Sequence, residues 1–225
     1  YIQAKIYNII AVGILQQNRN YLKEELLIKA EFLVALTDYN HGKYKTSFEN
    51  FEKVSKNTIN TQYKNSAKYY LALQYKNGKP ILNDNKAHDL FNQVAQSDST
   101  YKDDAKYMLA LYKKAKSDDR KAFDLFKQVA ESDLTYEDNA KYMLAKCYES
   151  GLGVEKDYKM AYKKYLNLLK SNDFEKGYKK NLKLNDIKFE LAKCYANNEA
   201  TKDVTFQLYL DLSKCENQKY QIDAL

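Results

Sequence analysis

A pattern of six positions, used five times, limits what this chain can fold into. A branched apolar residue is followed by alanine at Val34-Ala35, Leu71-Ala72, Leu109-Ala110, Leu144-Ala145 and Leu191-Ala192. Two residues before each pair stands an aromatic: Phe32, Tyr69, Tyr107, Tyr142 and Phe189. Downstream comes a small residue, an aromatic four later and a branched residue three after that. These are Ser47, Phe51, Val54; Ala87, Phe91, Val94; Ala122, Phe126, Val129; Ala161, Tyr165, Leu168; and Thr205, Tyr209, Leu212. Spacings of three and four place such residues on one face of a helix. The alanines recur at intervals of 37, 38, 35 and 47 residues, a period that signals stacked repeats and not a single ball-like core. Antiparallel helices approach closely only where one side chain is nearly absent, so each alanine marks an expected crossing.

The fullest copy of the pattern is Ala140 to Leu168. Ala140, Leu144, Ala145 and Tyr148 share a helical face. Gly151-Leu152-Gly153-Val154 supplies a stop and a sharp turn, because glycine allows positive φ. Asp157 is the expected N-cap of a second helix carrying Ala161, Tyr165 and Leu168. These residues resemble a Sel-one-like repeat, a subclass of the tetratricopeptide family; Ala145 departs from it, standing where that family usually has glycine. The other units match less fully and are closer to tetratricopeptide length. In the second unit, Asn77-Gly78-Lys79-Pro80 followed by Asp84-Asn85 is another stop-and-cap signal.

The reading is an all-α chain, a right-handed α-solenoid of stacked antiparallel helix pairs with about five repeats plus capping helices. An N-terminal capping helix is assigned to 1–20, repeats to 21–57, 58–97, 98–132, 133–171 and 172–215, and a C-terminal cap or truncated repeat to 216–225. Tyr1 to Gln17 carries Ile2, Ile6, Ile9, Ile10 and Ile14 on one side and is read as a capping helix or the second helix of a lost upstream unit, with contact to a partner or a second copy as the alternative use of that face. Asn20 is expected to cap a long helix running to about Tyr39. Ser171 to Asp186 holds the extra residues of the long last interval.

Chemistry finds little foothold. His41 and His88 are read as a turn residue and an exposed helix residue, with no nucleophile–base pair nearby. Gly151-Leu152-Gly153 lacks the third glycine and the preceding strand of a phosphate loop. Cys147, Cys194 and Cys215 show no metal-ligand spacing and are read as buried thiols. Acid clusters such as Asp103-Asp104 and Asp118-Asp119 sit at helix starts, where they complement the helix dipole. The net charge is +7, yet only Arg19 and Arg120 are arginine and the lysines are mixed with acids, which argues against a nucleic-acid partner. No apolar run reaches the length of a membrane span. No cofactor, metal or catalytic residue is assigned.

Binding is the function this pattern supports. The resemblance implies that the first helices line a concave face, with Phe32, Tyr69, Tyr107, Tyr142 and Phe189 on or near it. The next inner position is Leu36, Leu73, Leu111, Lys146 and Lys193, so such a groove would run from apolar to basic and suit a peptide with an apolar and an acidic half. The same aromatics can serve packing between neighbouring units. The resemblance also implies a non-enzymatic adaptor for a protein or peptide, with periplasmic or secreted location ahead of cytoplasmic. Two alternatives stay open: a cell-envelope protein with β-lactam-like small-molecule binding or hydrolase activity, and a structural homo-oligomer built through Tyr1 to Gln17.

Overall fold

The computed structural model describes residues 2–58, 60–132, 136–170 and 184–196. Among these residues there are nine α-helices and no strand: α1 (Ile2–Asn40), α2 (Tyr44–Ser55), α3 (Thr61–Asn77), α4 (Asp84–Ala95), α5 (Lys102–Ala115), α6 (Asp119–Ala130), α7 (Glu137–Ser150), α8 (Tyr158–Lys170) and α9 (Leu184–Ala196). The chain forms two compact units, Tyr1–Ala105 and Lys106–Leu225. In the first, α1 packs on α2, α2 on α3 and α3 on α4. In the second, α6 packs on α7, α7 on α8 and α8 on α9. Short connections make consecutive helices antiparallel neighbours. This is the all-α, α-solenoid class expected from the repeats.

Helix ends follow from local chemistry. The Asn60 side chain accepts a hydrogen bond from the backbone N–H of Tyr63 at 3.0 Å and starts α3. Asn83 does the same for α4 through Lys86 N–H at 3.0 Å. The cap is thus one residue upstream of the Asp84-Asn85 expected from sequence, where the extended Asn83 backbone lets its side chain reach back. Asp157 accepts from Met160 N–H at 2.9 Å and starts α8, as expected. Gly78 and Gly151, both left-handed, end α3 and α7.

The expected start of a helix at Asn20 is not found. α1 runs unbroken from Ile2 to Asn40, so the 20/21 boundary falls inside a helix. No glycine or proline lies between Gln17 and Leu27, and Leu-Lys-Glu-Glu-Leu-Leu after Tyr21 is strongly helix-forming. Helix propagation wins over a capping residue that has no turn beside it.

All five repeat alanines, Ala35, Ala72, Ala110, Ala145 and Ala192, have 0% exposure. The second-helix positions are equally sealed from Ser47, Phe51 and Val54 through Ala161, Tyr165 and Leu168. Burying a large apolar side chain contributes about 1.5–3 kcal/mol, so these repeated positions carry much of the stability. The branched position differs in one unit. Leu71, Leu109, Leu144 and Leu191 are buried, but Val34 is 54% exposed. In the second unit this position packs backwards: Leu144 joins Phe126 and Val129 of α6, and Leu191 joins Tyr165 and Leu168 of α8. Val34, on α1, is not enclosed in this way. Thr205, Tyr209, Leu212, Cys215, the 216–225 cap, residues 171–183 of the insertion and the side chains of residues 1–19 lie outside the described residues.

One turn touches the preceding hairpin. Gly153 has φ +70°, and a Cβ there would lie 2.2 Å from the carbonyl oxygen of Asp119 at the start of α6. The Arg120 guanidinium reaches the Gly153 carbonyl at 3.4 Å. A Cβ at Gly151 (φ +76°) would meet nothing nearer than 3.4 Å. Gly151→Ala is therefore expected to cost about 1 kcal/mol of backbone strain. Gly153→Ala should cost at least about twice that, because the turn must also lift off α6; denaturant melts of the two variants compare them directly. Ala145→Leu should cost about 1–3 kcal/mol by overpacking the α7–α8 crossing, read as a lowered melting temperature.

Candidate functional site

The five first-helix aromatics occupy one recurrent setting. Each of the first four faces the second-helix ring of its own hairpin: Phe32–Phe51 at 5.7 Å, Tyr69–Phe91 at 5.9 Å, Tyr107–Phe126 at 5.8 Å and Tyr142–Tyr165 at 5.8 Å. A third ring closes the first three. Tyr63 lies 5.4 Å from Phe32, Tyr101 stacks on Tyr69 at 4.7 Å, and Tyr136 stacks on Tyr107 at 4.6 Å. Tyr63, Tyr101 and Tyr136 each stand six residues before the next hairpin's aromatic. Such offset and edge contacts add about 0.5–1.5 kcal/mol per pair beyond burial. The result is that Phe32, Tyr69 and Tyr107 are buried, at 6%, 4% and 8% exposure. Burial, then the neighbouring Tyr136, pushes the Tyr107 phenol up to about 12.

Tyr142 and Phe189 are half-buried. At the position of the third ring, the fifth unit has Lys183 in its sequence, and among the described residues no third ring stacks on Tyr142. Tyr142 on α7 and Phe189 on α9 each keep part of the ring in contact with solvent. Lys146 lies over the Tyr142 ring at 5.7 Å, and Lys193 over the Phe189 ring at 5.7 Å.

The two lysines expected to make a basic end are brought together on one carboxylate. Lys146 Nζ donates to Glu190 Oε1 at 2.8 Å, and Lys193 Nζ donates to Glu190 Oε2 at 2.8 Å. Lys193 also pairs with Glu149 at 3.1 Å, and Glu149 accepts from the Tyr165 hydroxyl at 3.0 Å. Burial alone would raise the Glu190 carboxyl, but the hydrogen bonds from Lys146 and Lys193 outweigh it and hold it below its ordinary range. Burial pulls Lys193 the other way, and the bonds to Glu190 and Glu149 overcome it and raise its proton affinity. The strip is thus charge-compensated: both cations keep donors near the rings, but their field is offset by Glu190 and Glu149. The sequence signal was present in the i,i+3 pairs Lys146–Glu149 and Glu190–Lys193.

Other candidates lie apart from this strip. Leu36, Leu73 and Leu111 are half-buried. His41 is an exposed turn residue, its Nδ1 2.8 Å from the Thr37 carbonyl oxygen. His88, expected to be exposed, is only 21% exposed at its side chain and approaches Asp89 at 3.6 Å. Cys147 and Cys194 are buried free thiols, and burial, then the neighbouring carboxylates Glu149 and Glu190, pushes Cys194 up to about 12. Asp104 is buried in the first turn of α5, and burial reinforced by Asp103 pushes its carboxyl up to about 6. Among the described residues no group of His, Cys, Asp and Glu is placed to hold a metal ion, and no helix is long and apolar enough to cross a membrane.

Comparison with known structures places the fold. A Sel1 repeat protein from Oxalobacter formigenes aligns over 85% of this chain and 75% of its own, with a TM-score of 0.59 and 20% identity. A protective antigen present in uropathogenic Escherichia coli strains, which displays an SLR fold, aligns over 80% of this chain and 35% of its own, with a TM-score of 0.58 and 18% identity. Nearly identical TPR-like repeats assigned to a kinesin light chain of Podosopora anserina align over 85% of this chain and 97% of theirs, with a TM-score of 0.52 and 16% identity. The fold is therefore that of the Sel1-like and TPR-like repeat proteins. No protein-family profile matches the sequence, and no curated protein is significantly similar to it.

Replacing Glu190 by Gln tests the charge-compensated strip. The carboxyl is depressed in the folded state, so its contribution is present above its ordinary value of 4.5 and is lost as pH falls through the lower folded value. Glu190→Gln is expected to cost about 1.5–3 kcal/mol at pH 7. The difference from the unmodified protein should vanish in acid, as measured by urea melts across pH.

Proposed function

We propose that this chain is a binding scaffold whose second unit receives a protein or peptide segment on the α7–α9 strip. The supporting observation is the half-exposed pair Tyr142 and Phe189, each with a lysine held over its ring and both lysines fixed by Glu190. Aromatic anchors that are rigid before binding lose little entropy on contact, and such anchors dominate interfaces. The pre-positioned ammonium groups add hydrogen-bond donors beside an apolar surface. A segment with an apolar residue followed by an acidic or carbonyl acceptor matches that order. Phe32, Tyr69 and Tyr107 contribute to this function by packing, since their rings are buried by tyrosines from the next hairpin.

Screening an array of acidic–apolar peptides, followed by titration of the best binder, tests the reading. Tyr142→Ala with Phe189→Ala is expected to weaken binding about 30-fold or more, from about 2 kcal/mol at the anchors, with helicity retained by circular dichroism. Tyr107→Ala is the counterpart and should lower thermal stability. Unchanged affinity in the Tyr142, Phe189 double variant would remove the strip from the binding surface.

A further inference from the structure

The second unit holds a cavity away from the aromatic strip. It opens between α6, α7 and α8 and has a volume of about 250 Å³. Phe123, Leu144, Tyr148 and Leu168 make its apolar wall. Three of them, Phe123, Leu144 and Leu168, are buried core residues at 7%, 3% and 1% exposure, so the wall is fixed by the packing of the hairpins.

The rest of the lining is charged, with both signs. Lys127, Lys141 and Lys164 line it together with Glu131 and Asp138. Lys141 is bonded to Glu137 of its own helix, and Lys127 and Lys164 line the cavity beside Glu131 and Asp138. Lys164 comes from α8, is half-buried, and lies over the Tyr148 ring at 5.7 Å. Burial lowers its proton affinity, Glu131 raises it, and Lys127 and Lys141 lower it again. Asp138 is buried at 7% exposure in the first turn of α7. The lining thus combines cations, carboxylates and an apolar wall.

We propose that this cavity binds a small zwitterion with an aliphatic side chain, an apolar α-amino acid such as leucine. Its carboxylate would face Lys164 and Lys127, its ammonium group Glu131 and Asp138, and its side chain the Phe123–Leu144–Leu168 wall. The size agrees. A volume of 250 Å³ is the space of about eight water molecules, at roughly 30 Å³ each. It lies below the ~300–1,000 Å³ of sites for drug-sized ligands. A polyanion such as a phosphate ester would meet the carboxylates of Glu131 and Asp138 beside Lys127 and Lys164 and gain little. A ligand with a single charge would leave one sign of the lining unanswered.

The test is methyl NMR of the full chain with L-leucine, hexanoate and isoamylamine titrated separately. L-leucine is expected to shift the Leu144 and Leu168 methyls saturably, with a dissociation constant on the order of 0.1–1 mM for a ligand of this size. Hexanoate, which has only the carboxylate, and isoamylamine, which has only the ammonium, should bind at least tenfold more weakly. Lys164→Met should weaken leucine binding tenfold or more. Lys127→Gln, on an exposed side chain, should weaken it several-fold and serves if Lys164→Met does not fold. No saturable shift with leucine at tens of millimolar would overturn the proposal. So would hexanoate binding as tightly as leucine, or equal leucine affinity in a folded Lys164→Met or Lys127→Gln variant.

Discussion

The contact on which the structure rests is the one made where a side chain is almost missing. Ala35, Ala72, Ala110, Ala145 and Ala192 are wholly buried, each at the same place in a first helix. A methyl group there lets two helix backbones approach closely enough for the flanking rings and branched residues to interlock. A larger residue would hold the helices apart and open gaps around every neighbour at once. The alanine gains little energy itself; it sets the distance at which the others gain theirs. A hairpin leaves part of its apolar face for its neighbour to cover: Leu144 and Leu191 are buried with residues of the hairpin before them, whereas Val34 is exposed.

The aromatic positions carry the same logic toward function. A ring enclosed by its own hairpin and by a tyrosine from the next is a packing element. Tyr142, for which the sequence has Lys183 at the matching position of the next repeat, is half-buried instead. The lysines beside Tyr142 and Phe189 do not act as free positive charge, because Glu190 and Glu149 hold them.

Much of the fold was legible because it depends on periodicity. The helix pairs, the buried alanines, the second-helix code, the Gly151 stop and the Asp157 cap all follow from residue type and spacing within a helix turn or two. What was not legible depends on neighbours distant in sequence. The burial of Phe32, Tyr69 and Tyr107 needed Tyr63, Tyr101 and Tyr136, whose own spacing was visible but whose direction was not. The convergence of Lys146 and Lys193 on Glu190 needed the alignment of α7 with α9. The unbroken α1 shows the limit of capping signals: Asn20 sits among helix formers, and a cap works only where the chain already turns.

Gly153 gives the array an asymmetry of another kind. Tandem repeats usually lengthen or shorten by whole copies, since each copy asks only for a generic neighbour. Here the turn after α7 lies flush against the start of α6, with no room for one carbon atom. The third and fourth hairpins are therefore a matched pair. Genetic duplication or exchange could move them as a block, whereas splicing the fourth hairpin behind any other would require a neighbour whose helix begins at the same height.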